Sequence, residues 1–187
     1  MAFTGNDCSE RSSRYYLDNG FPSAAAMAQY HAPIVAVIAS LGLPRGGRVL
    51  DLGCGNGALL ARLRRLRPDI IPCGIERIAE RLSFADTLFP SGSGEWHLGN
   101  IFTCAEPWAD ERSYAAALLM VGRLTEAERD KVQALRQRLR RQAKHIVGYA
   151  YPDWLLRYGN FAALCAAAGV TPSAELGASD FVAPISL

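Results

Sequence analysis

The run Arg48-Val49-Leu50-Asp51-Leu52-Gly53-Cys54-Gly55-Asn56-Gly57 constrains the fold more than any other part of the chain. A short apolar segment ends in an acid, glycine then stands at every second position, and the helical pattern Ala58-Leu59-Leu60-Ala61-Arg62-Leu63 follows. That order describes a buried strand, a tight turn and a helix whose first turn opens over the strand end. Glycine suits such a turn because the backbone must come close to a ligand and adopt dihedral angles that a side chain forbids.

Two families use this strand, glycine and helix device. Gly53, Gly55 and Ala58 formally meet the Gly-x-Gly-x-x-Gly/Ala fingerprint of dinucleotide-binding folds. The block Leu50-Asp51-Leu52-Gly53-Cys54-Gly55-Asn56-Gly57 resembles more closely the first motif of the class I S-adenosylmethionine methyltransferases, apolar-Asp/Glu-apolar-Gly-x-Gly-x-Gly. Asp51, two residues before the first glycine, would repel a pyrophosphate, whereas a cationic sulfonium ligand with a free amino group welcomes a carboxylate there. The resemblance covers about residues 45–187 and implies S-adenosyl-L-methionine as cofactor.

Composition fits a single globular domain. The chain has 187 residues, half of them apolar, and a formal net charge of +2. No apolar run is long enough to cross a membrane, and residues 1–19 lack a signal-peptide pattern. Cys8, Cys54, Cys73, Cys104 and Cys165 are widely spaced without a Cys-x-x-Cys pair, which reads as reduced thiols in a cytoplasmic protein and as no metal site. Arginines cluster over 62–67 and 129–144. Aromatics do not interleave with them, so they read as solvated helix faces and nucleic acid is not an expected partner.

The order of elements predicts an α/β fold. Ser23 caps a helix from about Ala24 to Leu41, with Pro33 as a kink or break. Strand one is Arg48–Leu52, and its following helix runs to about Leu66. Ile70–Ile75 is strand two despite Pro72 and Gly74, residues 77–88 form a helix, and Glu95–Phe102 contains strand three. Tyr114–Val121 is a continuous apolar run, as expected of a strand buried on both faces. Thr125 with Glu128 suggests a capping box before a long helix. His145–Tyr149 is strand five, one helix covers about Asp153 to Ala168, and Val170–Leu176 and Phe181–Leu187 are extended. Alternating strands and helices imply a mostly parallel sheet with helices on both faces. The resemblance makes this a doubly wound, Rossmann-like seven-stranded sheet whose last strand is antiparallel. Residues 1–44 are read as an N-terminal helical lid and 45–187 as the cofactor-binding core of one domain.

In such sheets ligands bind across the carboxyl ends of the strands. Gly53, Gly55 and Gly57 are then the backbone beside the methionine part of the cofactor, Cys54 joins them in the cofactor set, and Asp51 accepts from its ammonium. Glu76, after strand two, offers two carboxylate oxygens to the vicinal ribose hydroxyls, and the resemblance implies an acid at this position. Arg77 or Ile78 covers one adenine face. Relatives commonly place Asp-apolar after strand three; here Asn100 replaces the acid and can still accept from the adenine amino group, with Ile101 packed on the ring. Met120 borders the cofactor through its backbone.

The Asn/Asp-Pro-Pro-Tyr/Phe signature of many amino-methylating relatives is missing after strand four, as are the acidic metal ligands of catechol-type relatives. Candidate catalytic residues are His31 and Tyr16 in the lid segment, with Tyr15 and Tyr30 nearby. His97 and His145 are the other histidines. Tyr151, Trp154 and Tyr158 offer an aromatic wall for a planar substrate. The expected reaction is methyl transfer from S-adenosylmethionine to oxygen or nitrogen of a small molecule, in a biosynthetic setting. Alternatives are an RNA or protein methyltransferase, a non-catalytic cofactor-binding partner subunit and, on Gly53, Gly55 and Ala58 alone, an NAD-dependent oxidoreductase. A homodimer is compatible with the sequence.

Overall fold

The computed structural model describes residues 12–108, 114–173 and 179–187. Cys8, the start of the expected lid and residues 174–176 of the expected penultimate strand lie outside that set. Seven strands form one sheet: β1 (Arg48–Leu52), β2 (Ile71–Glu76), β3 (Glu95–Leu98), β4 (Tyr114–Met120), β5 (Ala143–Tyr149), β6 (Thr171–Pro172) and β7 (Val182–Ser186). Their spatial order is β3-β2-β1-β4-β5-β7-β6. β1 to β5 run parallel, whereas β7 is antiparallel to both β5 and β6. Strand order reverses between β1 and β4, and this opens the crevice that a doubly wound sheet offers to ligands.

The helices are α1 (Arg14–Leu17), α2 (Ala24–Ser40), α3 (Ala58–Leu66), α4 (Ala79–Leu88), α5 (Arg123–Glu126), α6 (Arg129–Gln142), α7 (Pro152–Tyr158) and α8 (Phe161–Ala168), with a 3-10 turn at Glu106–Trp108. One core packs α2 and α3 on the sheet through Ile34, Ile38, Leu60 and Leu63. The other packs α6 and α8 on the opposite face through Leu135, Leu139 and Leu164. All seven residues of β4 are buried, because helices cover both of its faces.

Local chemistry explains the boundaries. Ser23 Oγ accepts from Ala26 N and starts α2, which continues through Pro33. Pro72 is tolerated inside β2 because Ile71 N already bonds toward β1, at Gly47 O, so the proline nitrogen faces the other way. There β3 joins β2 only from Cys73 onward. Gly74 is required by packing, since an added Cβ would meet Cys54 Sγ at 2.5 Å.

Two sequence expectations are corrected. The Thr125–Glu128 capping box does not form: Glu128 is itself the extended N-cap of α6, and Thr125 Oγ1 donates back to Gly122 O. The helix expected over Asp153–Ala168 is two helices, separated where Gly159 takes φ +85° and Asn160 Oδ1 caps α8 by accepting from Ala163 N.

Candidate functional site

The glycine loop joins β1 to α3, and its backbone is tied to the end of β2. Gly53 N and Cys54 N both donate to Ile75 O. Glu76, the last residue of β2, closes the loop from the other side. Its Oε2 accepts from Gly55 N at 3.0 Å, and its Oε1 accepts from Arg77 N and Ile78 N at 2.9 Å each. A carboxylate offers about four lone-pair positions, so among the described residues only Oε2 retains one for a ligand. Glu76 therefore holds two loops together in addition to facing the crevice.

Asp51 lies beneath the loop and is 2% exposed. Burial, and then the neighbouring Glu76 carboxylate, push its carboxyl up to about 7. The Tyr149 hydroxyl stands 3.5 Å from Asp51 Oδ1 and partly offsets that rise. The carboxyl is thus poised to ionise when a cation arrives beside it.

These groups share one cavity of about 660 Å³ at the carboxyl ends of β1, β2 and β4. Asp51, Gly53, Cys54, Gly55, Glu76, Arg77, Asn100, Ile101 and Met120, all assigned to the cofactor from sequence, lie on its wall; Gly57, also assigned, does not, because it is the N-cap of α3 and packs against Ala85 of α4. Asn100 Oδ1 already accepts from Phe102 N at 2.9 Å, which fixes the side chain across its own turn. Tyr151 and Trp154 line the end of the cavity beyond β4 and β5. Trp154 lies against Gly122, leaving no room there for a Cβ. Tyr158 stays off the wall, its hydroxyl donating to Thr125 Oγ1 at 3.0 Å. Among the described residues no group of three or more His, Cys, Asp or Glu is placed to hold a metal ion.

The structure does not bring His31 or Tyr16 to the cavity wall. His31 is 1% exposed in α2, with Nε2 3.2 Å from the Tyr151 hydroxyl. Burial, reinforced by Arg62, holds its imidazole down to about 3, so it is neutral at any working pH. A histidine that cannot take up a proton is poorly suited to general-base work. His97 and His145 lie in β3 and β5, also away from the wall.

Sequence reasoning missed the contribution of Asp18, Asn19 and Gly20, which do line the cavity. They follow α1 and are held on the glycine loop by Asn56, a fully buried amide. Asn56 Nδ2 donates to Arg14 O and Tyr15 O, while its Oδ1 accepts from Asn19 Nδ2 at 2.6 Å and from Ala58 N. The only sequence signal was an asparagine inside the glycine loop, which has no reason of its own to be polar.

The model of one protein family, described as methionine biosynthesis protein MetW, matches residues 34–159. That match spans most of the chain, from α2 through the glycine loop and cavity wall to the end of α7. The chain belongs to the MetW family. Solved structures agree on the fold. An O-methyltransferase candidate from Nostoc punctiforme PCC 73102 superposes with a TM-score of 0.57 at 14% identity, over 86% of this chain and 58% of that one. WbdD gives 0.57 at 22% identity, over 76% and 35%. The plantazolicin methyltransferase BpumL, solved with S-adenosylhomocysteine and a monoazolic desmethylPZN analog, gives 0.52 at 17%, over 64% and 47%. This MetW-family chain spans about half the length of the solved proteins it matches. No curated protein matches it. Its fold is that of the class I S-adenosylmethionine-dependent methyltransferases, as the glycine-loop resemblance implied.

Proposed function

We propose that the protein is an S-adenosylmethionine-dependent methyltransferase acting on oxygen or nitrogen of a small molecule. The observation that carries this reading is the convergence of Asp51, the glycine loop, Glu76 and Asn100 on one cavity at the carboxyl ends of adjacent strands. The donor set suits the cofactor: a buried carboxyl for an ammonium, a free Oε2 lone pair for a ribose hydroxyl, and apolar Ile101 and Ile78 for an adenine ring. The bound sulfonium would supply a methyl group already activated for displacement.

The chain's own work is then alignment and exclusion of water, since charge disperses in such a displacement and little of it needs stabilising. Tyr151 and Trp154, both on the cavity wall, would hold a planar acceptor. No histidine lines the wall, which favours an acceptor that is nucleophilic without a base, such as an amine. The family description in methionine biosynthesis and the small-molecule relatives support an acceptor of low mass in a biosynthetic setting.

Titration calorimetry with S-adenosylhomocysteine, with NADH as control, tests the cofactor. One-to-one binding of the first alone supports the reading, and binding of NADH alone replaces it with a dehydrogenase. Cofactor binding without methylation across an acceptor screen would favour a non-catalytic binding subunit.

A further inference from the structure

The amide of Asn19 is assigned by its surroundings. Nδ2 faces three acceptors: Tyr15 O at 3.1 Å, Asn56 Oδ1 at 2.6 Å and Met27 Sδ at 3.7 Å. The nitrogen must therefore point into the latch, and Oδ1 points the other way. That oxygen lies against the glycine loop, where a Cβ built on Gly55 would stand 2.6 Å from it. Both Asn19 and Gly55 are on the cavity wall. Among the described residues Oδ1 accepts no hydrogen bond, although Nδ2 is fully engaged. Backbone of φ +56° at Gly55 and the absence of a side chain there are what allow the approach.

The geometry points to Asn19 as a cofactor ligand delivered by the N-terminal segment: its Oδ1 accepts a hydrogen bond from the α-ammonium of an S-adenosyl amino acid. This rests on the cofactor reading above. Asp51 beneath the loop supplies charge to the same ammonium, and Asn19 above the loop supplies direction. The ligand's amino-acid end is then held between two segments that are distant in sequence and fastened to each other through Asn56. Asn19 also makes the site selective, because a nucleoside thioether without the amino group gains nothing from it.

The test uses two ligands on the whole chain: S-adenosylhomocysteine and its deaminated analogue, in which hydrogen replaces the α-amino group. Asn19→Ala should weaken the first by roughly ten- to hundredfold, the loss of one charge-assisted hydrogen bond. The analogue should lose less than about threefold. Equal loss on both ligands would mean that Asn19 only fastens the segment, and would overturn the proposal, as would unchanged binding of S-adenosylhomocysteine. Should the variant melt early, the side-chain amide resonance of Asn19 in the unaltered protein decides: it must shift with S-adenosylhomocysteine and stay in place with the analogue. Failure of the unaltered protein to bind S-adenosylhomocysteine would be a different result, removing the cofactor reading itself.

Discussion

Asp51 and Glu76 are both buried acids on the same crevice, yet they do opposite things to the folded state. Glu76 is satisfied by three backbone N–H groups. Glu76→Ala should cost roughly 1.5–3 kcal/mol of S-adenosylhomocysteine affinity, read by calorimetry, and a similar amount of stability, because three donors lose their acceptor. Asp51 has a folded pKa of about 7, above its unfolded value near 3.8. A raised pKa contributes stability that is whole below the unfolded value and is lost as pH rises toward 7. Asp51→Asn should therefore stabilise the ligand-free protein at pH 8, by at most about 4 kcal/mol, and leave it unchanged near pH 4. Urea unfolding at the two values checks this. Ligand binding should show the reverse dependence: affinity for S-adenosylhomocysteine rises from pH 6 to pH 8 in the native protein and stays flat in Asp51→Asn.

At the scale of elements, the parts that were legible in the sequence are those fixed by neighbours along the chain. Ser23 announces α2, the apolar run Tyr114–Met120 announces a strand covered on both faces, and the glycines after Leu52 announce the turn. The parts that were not legible depend on distant partners. Thr125 and Glu128 have the right spacing for a capping box, but Gly122 O captures the threonine hydroxyl. Asn19 and Asn56 are 37 residues apart, and nothing local marks them as a pair. His31 reads as polar and available, yet packing in α2 seals it from water. The division of α7 from α8 was present in Gly159-Asn160 and was outweighed by the helical pattern on either side. Asn160→Ala should remove the α8 cap at a cost of about 1 kcal/mol, lowering the melting temperature by roughly 2–4 °C. Since α8 places no residue on the cavity wall, affinity for S-adenosylhomocysteine should not change.

For the molecule as a whole, ligand and fold are linked by mass action. S-Adenosylhomocysteine at one hundred times its dissociation constant should add about 2.7 kcal/mol to stability, raising the melting temperature by roughly 5–10 °C, whereas NADH should leave it in place. β4 gives that linkage a second and finer readout. It is paired with β1 on one edge and β5 on the other, and its side chains are shut from water on both faces. Its amides can meet deuterium only when the entire sheet opens. Isotope uptake over residues 115–120 is therefore an internal clock for rare global openings. Each tenfold increase in saturating ligand should slow that clock about tenfold, so affinity can be read from inside the protein without a turnover assay.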